Sequence, residues 1–423
     1  MAALRVTIVI LAVLTFASSE PSRFDGYQVL RINPKTYDEL ELLHQLKTQV
    51  GDKVDFWLSP HAVGYPVDVM VPPSLSPEVT AFLRLMKIDY IVFISDVQTL
   101  IDGQRTSSQD SQQDADITFD YNRYHTYDEI DTWITDIANE YKDIVEIFEI
   151  TKSYEGRRIR GLKISTSSII KKPAGWFEAG IHAREWISPA TLIYMTKYIL
   201  EGYGKDDEIT RMIDEFDWYI VPQLNPDGYE YSRTDNRMWR KTRQPNANSP
   251  CIGSDPNRNW DYQWGGAGAS TNPCAADYRG PYALSEPEVK GVTDYLRNLD
   301  QEVKLFIDFH SYSQLWLSPW GYRRIRPADY TEQVKYAAKG VAALEAVYGT
   351  KYTYGDVANT LYVSAGSSLD WAYGVINAKY SYVLELRDTG ENGFLLPEDQ
   401  IEPTAIETFA GIKEAVKYVL DEF

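Results

Sequence analysis

The first hundred residues combine short apolar runs, which are typical of β-strands, with two segments typical of helices. The pattern predicts strands over 27–32, 54–58, 67–71 and 90–94, and helices over 37–49 and 77–87. The resulting order is β-α-β-β-α-β. This order predicts a small α+β domain of the ferredoxin-like type near the N-terminal end of the chain.

A polar stretch over 103–114 follows this domain. It lacks periodicity and is rich in Ser and Gln, which predicts an exposed linker. Because proteases cut exposed polar loops, Arg105 is the candidate site for a trypsin-like cut. A plain interdomain linker is the alternative interpretation of the same stretch.

From residue 126 onward the pattern changes to a longer alternation of helices and strands. Capping residues begin three of the helices, at Thr126 with Glu129, at Ser188, and at Ser285 with Glu288. The alternation predicts an α/β domain with a mixed, largely parallel central sheet flanked by helices. Ligands bind such sheets at the C-terminal ends of the strands. Helices are predicted over 126–141, 188–201, 285–298, 331–348 and 404–420, and strands over 144–150, 161–165, 175–181, 218–222, 303–309 and 380–386.

Length and charge then narrow the classes of function. A chain of 423 residues exceeds one ordinary domain, so two folded units are expected. The formal net charge of -19 repels phosphate backbones. Nucleic acid is therefore not expected as a partner.

The N-terminus has the pattern of a cleavable signal peptide over 1–19. Arg5 precedes an apolar run over 6–17, and small residues follow that run. The run is shorter than the ~20 apolar residues of a membrane span, although a membrane anchor is the alternative. We therefore expect a secreted, extracellular protein that is not bound to a membrane. In an oxidising compartment Cys251 and Cys274 can pair, two free thiols being the alternative.

Two of the five histidines lie at predicted strand ends. His182 and Glu185 directly follow the strand over 175–181, and His310 follows the strand over 303–309. Catalytic zinc takes three protein ligands of this kind and keeps a fourth position for water. Taken alone, a His-x-x-Glu pair is more often incidental than metal-binding, so the neighbouring motifs decide.

Six short motifs give these residues a context, and they are His182-Ala183-Arg184-Glu185-Trp186, Asn225-Pro226-Asp227-Gly228-Tyr229, Asn236-Arg237-Met238-Trp239-Arg240-Lys241-Thr242-Arg243, Asp255-Pro256-Asn257-Arg258-Asn259-Trp260, His310-Ser311-Tyr312-Ser313-Gln314 and Glu385-Leu386-Arg387-Asp388-Thr389-Gly390. In this order they resemble the zinc carboxypeptidase A/B family, and the resemblance extends from about residue 118 to the C-terminus. It implies an activation prodomain over 20–105, a linker or activation segment over 106–117 and a catalytic domain over 118–423.

The resemblance also implies the metal centre. One Zn²⁺ would be held by His182, Glu185 and His310. Asp255 matches the acid that orients the first of these histidines. The two cysteines are implied to form a disulfide that holds the loop between them.

Two residues are implied to take part in the chemistry. Glu385 would accept a proton from water and pass it to the leaving amine. Its alternative is a structural carboxylate paired with Arg387. Arg240 would stabilise the negative oxygen that forms at the attacked carbonyl, its alternative being a solvated position in the basic run. Arg237 and Arg243, in the same run, are interpreted as a solvated face.

The substrate is implied to be the C-terminus of a peptide or protein. Arg258 and Asn257 would bind its free carboxylate, and Tyr362 would close over it, unless this tyrosine is one of the ordinary core or surface tyrosines. Such a carboxylate clamp argues against an endopeptidase. Four further residues match positions that line the family's cleft, namely Arg184, Ser311, Tyr312 and Phe394.

The resemblance places Leu369 at the floor of the specificity pocket. This residue implies which type of C-terminal residue the enzyme removes from its substrate. An acid there marks the basic-specific branch of the family, whereas a leucine would leave a buried Lys or Arg unpaired. We expect preference for aliphatic or aromatic C-terminal residues. Val357 and Ser364 are compatible with this preference, and Asp356 would oppose it if it reached into the pocket.

Two alternatives and two partners complete the expectation. A basic-specific carboxypeptidase is the first alternative, and an inactive binding protein on the same fold is the second. The prodomain is expected to cover the cleft as an inhibitor until a trypsin-like protease removes it. The protein is expected to be a monomer.

Overall fold

A computed structural model describes residues 20–110 and 119–421, with only the backbone described for 105–110. The predicted signal segment and the part of the predicted linker over 111–117 lie outside the described residues. Within the described ranges, no helix has both the length and the apolar character that crossing a bilayer requires.

The N-terminal domain has an antiparallel sheet packed against two helices. Its elements are β1 (Gln28–Ile32), α1 (Tyr37–Val50), β2 (Asp55–Leu58), β3 (Val67–Val71), α2 (Ser76–Leu85) and β4 (Tyr90–Ile94). The strand order is β2-β3-β1-β4, and each pairing is antiparallel. Leu43 of α1 and Leu83 of α2 pack with Val69 of the sheet in one buried cluster. The predicted order and type of this domain are confirmed.

The helix α3 (Val97–Asp110) follows this domain, where the sequence predicted a linker from residue 103. That prediction is wrong for 103–110. Val97 and Ile101 are buried in a cluster that includes Leu395 of the second domain, and this apolar contact anchors the helix. Arg105 is therefore part of a helix and does not lie in a loop.

The second domain contains one eight-stranded sheet. Its strands are β5 (Val145–Lys152), β6 (Arg158–Ile164), β7 (Ala174–Ala179), β8 (Asp217–Val221), β9 (Val303–Ser311), β10 (Leu315–Ser318), β11 (Thr353–Asp356) and β12 (Tyr380–Leu386). They lie in the order β11-β10-β12-β9-β7-β8-β6-β5. The pairings β10–β11, β9–β12, β7–β9 and β7–β8 are parallel, and the other three are antiparallel. The predicted mixed, largely parallel sheet is confirmed.

Helices cover both faces of this sheet. They are α4 (Tyr127–Glu140), α5 (Ile187–Gly202), α6 (Asp207–Glu215), α7 (Pro226–Thr234), α8 (Pro287–Asn298), α9 (Tyr330–Tyr348), α10 (Val357–Thr360), α11 (Ser368–Gly374) and α12 (Ile401–Leu420). Alternate strand residues point to opposite faces, so β9 sends Ile307 to the cluster that contains residues of α4, α5, α9 and α12. It sends Phe306 to the other cluster, with residues of α8 and α11.

Of the three N-terminal helix caps predicted from the sequence, one is confirmed and two are wrong. The capping box at α4 is confirmed, because Thr126 Oγ1 accepts from the Glu129 amide at 3.2 Å and Glu129 accepts from the Thr126 amide at 2.7 Å. The cap predicted at Ser188 is wrong, since α5 begins at Ile187 and the Ser188 hydroxyl accepts from the Gly180 amide. The box predicted at Ser285 is also wrong, because its hydroxyl donates to the carboxylate of Glu286.

Candidate active site

The site lies where three neighbouring parallel strands end. Glu385 of β12 is the register partner of His310 of β9, so their side chains leave the sheet side by side. β7 is the other neighbour of β9 and leads into His182 through a tight turn. Gly180 has a φ of +71° in that turn, and a Cβ there would overlap the Gln223 side chain. The turn thus requires glycine, and it brings His182 to the same edge as His310.

His182, Glu185 and His310 each offer one ligand atom, and these atoms lie within 4.8 Å of one another. The Nδ1 atoms of the two imidazoles are 3.1 Å apart, and each is near a different oxygen of Glu185, at 2.8 Å and 3.1 Å. All three side chains are buried. Two ring nitrogens and a carboxylate that converge in this way form a donor set that fits zinc.

The second nitrogen of each imidazole lies beside a buried carboxylate. Nε2 of His182 is 3.0 Å from Asp255, as the resemblance implied. Nε2 of His310 is 2.9 Å from Asp308, a contact that the sequence reasoning missed. Asp308 could have been noticed as the one acid inside the apolar strand over 303–309.

Asp255 joins the metal group to two arginines. Arg240 donates from Nη2 to Asp255 at 2.8 Å, and Nη1 of Arg258 lies 3.8 Å from the same oxygen. Burial opposes ionisation of Asp255, but the neighbouring charges of Arg240, His182 and Arg258 hold its pKa well below the usual range. Arg240 is also 3.6 Å from Glu185, which places its guanidinium at the wall of the metal group.

Glu385 is buried in the same cleft. Burial raises the pKa of Glu385 to about 8, with the charges of His310 and Arg240 acting against this rise and Glu185 adding to it. A carboxyl group with a pKa near neutrality can exchange protons with water and substrate at physiological pH.

The residues expected to bind a carboxylate line the same cleft. Asn257 is held by its Oδ1, which accepts from the Ser368 amide at 2.8 Å. Arg258 donates from Nε to the Gly268 carbonyl at 2.8 Å, and its guanidinium lies 5.7 Å from the ring centre of Tyr362. The arginine head is thereby fixed in direction beside the half-buried tyrosine. A disulfide between Cys251 and Cys274, with Cα atoms 5.1 Å apart, closes the loop that holds Asn257 and Arg258.

One end of the cleft is apolar. Leu369 is buried there in a cluster with four other aliphatic residues, Leu317, Val357, Leu361 and Val383. Ser364 also lines the cleft, whereas Asp356 is absent from the described residues that line it. Asp356 instead caps α10, accepting from the amide of Asn359 at 3.0 Å. The concern that Asp356 opposes an apolar pocket is therefore removed.

The remaining predicted cleft residues lie together at the cleft. Ser311, Tyr312 and Phe394 line the cleft. Arg184 is buried beside them, with its guanidinium 4.1 Å from the ring centre of Phe394. Arg237 donates to the carbonyls of Arg184 and Phe394 and supports this part of the cleft.

Neither Arg237 nor Arg243 belongs to a solvated face. Arg237 is buried, and burial lowers its pKa to about 9. Arg243 is half-buried, with its guanidinium 3.5 Å from the ring centre of Tyr231. That interpretation of the basic run is wrong, because aromatic rings and carbonyl groups replace the expected water.

The N-terminal domain covers this cleft. Trp57 and Leu58, at the end of β2, are among the residues that line it. Trp57 packs edge-on against Phe394 at 5.0 Å between ring centres. Asp55 forms an ion pair with Arg184, and the sequence reasoning missed this contact.

A second group of polar contacts joins the two domains nearby. Asp68 accepts from the hydroxyl of Tyr312 at 2.7 Å and is paired with Arg31. Arg31 also donates to the Thr389 carbonyl at 2.7 Å. Both apolar and charged contacts therefore hold the first domain over the cleft.

Comparison with known proteins assigns both domains. Residues 130–411 match the family described as Zinc carboxypeptidase, and residues 30–104 match the family described as Carboxypeptidase activation peptide. The chain belongs to the zinc carboxypeptidase family. It is a metallocarboxypeptidase zymogen, with an activation peptide and a His-Glu-His group that fits the family's zinc.

Relatives and solved structures agree with this assignment. Carboxypeptidase A2 of Rattus norvegicus is 41% identical over 419 residues, which cover 99% of each chain. Carboxypeptidase A1 of Bos taurus is 42% identical over 417 residues, which cover 98% of this chain and 99% of that one. The structure of thrombin activatable fibrinolysis inhibitor has a TM-score of 0.85 at 36% identity and covers 95% of this chain and 100% of its own. Carboxypeptidase A from Helicoverpa armigera has a TM-score of 0.86 at 26% identity, with 94% and 98% covered.

Proposed function

We propose that this zymogen is secreted and, once activated, removes aliphatic or aromatic residues one at a time from the C-termini of peptides. The observation that carries the proposal is one cleft that combines three parts. These parts are the convergent ligand atoms of His182, Glu185 and His310, the buried acid Glu385, and an apolar end around Leu369. The signal-like pattern over 1–19 and the disulfide support secretion.

The side chains around the metal group carry out the proton transfers and bind the developing charge. His182, Glu185 and His310 would hold a zinc ion, which would supply a Lewis acid and lower the pKa of bound water. Glu385 accepts the proton of the attacking water and passes it to the leaving amine. Arg240 donates to the substrate oxygen that becomes negative, with its direction fixed by the hydrogen bonds to Asp255.

Arg258, Asn257 and Tyr362 restrict the reaction to the last peptide bond. The substrate's terminal carboxylate binds to Arg258 and Asn257, which are buried and held by their own hydrogen bonds. Tyr362 is less buried and lies beside Arg258, so it can approach a bound peptide. An internal peptide segment has no carboxylate to place there. The buried guanidinium of Arg258 would then be covered by the peptide without a substrate carboxylate to pair with.

The pocket chemistry predicts which residue is released. Wild-type enzyme is expected to cleave blocked dipeptides ending in Phe or Leu roughly 100-fold faster, as kcat/KM, than those ending in Lys or Arg, because the aliphatic pocket leaves a buried cation unpaired. The variant Leu369→Asp should reverse the order towards Lys and Arg. Leu369→Asn, of similar size without the charge, is the control and should lose Phe cleavage without gaining Arg cleavage. Faster cleavage of Arg than Phe substrates by the wild type would contradict the assignment of this pocket.

We also propose that residues 20–105 inhibit the enzyme, that 106–117 is the activation segment and that 118–423 is the catalytic domain. A trypsin-like protease would release the inhibitor, with Arg105 as the candidate cut. Cutting there requires the end of α3 to unfold, since Arg105 lies in the helix. The contacts of Asp55 with Arg184, and of Trp57 and Leu58 with the cleft, support inhibition by direct cover.

The inhibitory contact yields a prediction about the uncut zymogen. Asp55→Ala should raise its activity on a small substrate several-fold, because the variant loses an ion pair that holds the N-terminal domain over the cleft. The matched control is Asp89→Ala, which removes an exposed acid paired with Lys35 inside the same domain. After cleavage with trypsin both variants should equal the wild type. Unchanged zymogen activity in Asp55→Ala would show that this ion pair does not contribute to inhibition.

The proposed function is tested by incubating trypsin-treated protein with a peptide of known sequence and following its mass with time. The expected result is a ladder that loses single residues from the C-terminal end and stops at Lys or Arg. Incubation with a zinc chelator should stop the ladder, and added Zn²⁺ should restore it. Internal cleavage products, or a ladder that is insensitive to the chelator, would refute the proposal.

A further inference from the structure

A carboxylate lies behind each of the two histidines of the metal group. Asp308 comes two residues before His310 on β9, and one of its oxygens is 2.9 Å from Nε2 of His310. Both side chains are buried. The distance is similar to the 3.0 Å between Nε2 of His182 and Asp255.

The tautomer of His310 follows from its surroundings. Nδ1 faces Nδ1 of His182 and the carboxylate of Glu185, so this nitrogen must keep its lone pair to bind a metal. A neutral imidazole then carries its proton on Nε2. Asn257 Nδ2 is also close to Nε2, at 3.2 Å, but it is itself a donor and cannot accept this proton. Asp308 is therefore the acceptor.

We propose that Asp308 is a positioning residue of the metal centre, which fixes the ring orientation and tautomer of His310 and strengthens it as a ligand. The inference rests on the proposed function, in which His310 binds zinc. A carboxylate that accepts from the second nitrogen of a ligand imidazole makes the first nitrogen a better electron donor.

Asp308 is itself held by the substrate-binding side of the site. The hydroxyl of Ser368, the first residue of α11, donates to the same Asp308 oxygen at 2.6 Å. The Ser368 amide donates to Oδ1 of Asn257 at 2.8 Å. One serine thus connects the support of His310 to the carboxylate clamp, and the next residue of α11 is Leu369 of the specificity pocket.

A second buried acid provides the comparison that isolates this contact. Glu178 of β7 is the register partner of Asp308 and lies on the same face of the sheet. It accepts from the Trp176 indole at 2.7 Å, and among the described residues it forms neither a hydrogen bond nor an ion pair with His310. Burial, reinforced by the charge of Asp308, raises the pKa of Glu178 well above its usual range.

The test measures release of zinc from the trypsin-activated enzyme to a chelating dye, with circular dichroism as a check on folding. Asp308→Asn should release zinc about 10 to 100 times faster than the wild type. Ser368→Ala, a milder change for the case in which Asp308→Asn fails to fold, should release it a few-fold faster. Glu178→Gln should match the wild type within about twofold, because it leaves the His310 contact intact.

The outcomes separate the inference from the proposed function. Wild-type release rates in folded Asp308→Asn, or in Ser368→Ala if Asp308→Asn is unfolded, would overturn the role of Asp308. An equal effect of Glu178→Gln would also overturn it, since burial of an acid near the site would then suffice. His310→Ala is the reference for the proposed function and should bind no zinc. Zinc retained by folded His310→Ala would refute that function instead.

Discussion

Glu385→Gln is expected to lower kcat by about 10³-fold to 10⁴-fold while KM and zinc content stay within about twofold of the wild type. Glutamine keeps the shape of the side chain but can no longer accept a proton. Glu385 lies beside His310 on the neighbouring strand. Its carboxylate is therefore next to the metal group, where it can reach a water. The measurement is steady-state kinetics on a blocked dipeptide that ends in Phe, with metal analysis of the same samples.

Glu288→Gln is the matched control for this variant. Glu288 on α8 is also a buried glutamate, and burial raises its pKa to about 8 as well. It lies outside the cleft, near the amide of Tyr154 at 3.3 Å. If Glu288→Gln slows the reaction as much as Glu385→Gln, loss of a buried acid in general would explain both results. A kcat within tenfold of the wild type for Glu385→Gln would remove this residue as the proton acceptor.

Arg240→Ala is expected to lower kcat by about 10²-fold to 10³-fold, the range found when one donor to a developing negative oxygen is removed. Arg240→Lys should recover part of the lost kcat. Lysine restores the positive charge but not the two hydrogen bonds that the guanidinium donates to Asp255. The same dipeptide assay measures both variants. Zinc content reports whether the loss of the Asp255 contact disturbs His182.

Arg243→Ala separates this role from the charge of the basic run. Arg243 lies three residues away, is half-buried against Tyr231 and does not line the cleft among the described residues. We expect its kcat to stay within about twofold of the wild type. Equal losses for Arg240→Ala and Arg243→Ala would indicate a general electrostatic effect in place of a directed hydrogen bond.

The sequence predicted the parts of the fold that have strong local signals. Strand β9 and strand β12 are long apolar runs, and their parallel pairing brings His310 beside Glu385. The elements that were missed are short or polar, such as β10 with four residues and the polar part of α3. Tertiary contacts, for example those of Val97 and Ile101 with the second domain, stabilise α3 where local composition favours a loop.

Contacts between distant residues explain what the sequence left open at the site. Asp356 is next to Val357 in the chain, yet only Val357 lines the pocket, because the carboxylate of Asp356 is used as a helix cap. Asp55 and Arg184 are 129 positions apart, and no local pattern connects them. Sequence motifs thus identified the site residues at the ends of the strands of the second domain. Residues of the activation domain that contact the site, such as Asp55, became apparent only from the packing of the two domains.

The central claim is that a single zinc ion is held jointly by His182, Glu185 and His310. Anomalous diffraction from a crystal of the native zymogen, recorded on either side of the zinc absorption edge, tests it most directly. One strong peak is expected about 2.0–2.2 Å from Nδ1 of each histidine and from a carboxylate oxygen of Glu185. A crystal in which zinc lies elsewhere, or in which the three side chains point apart with no peak between them, would contradict it.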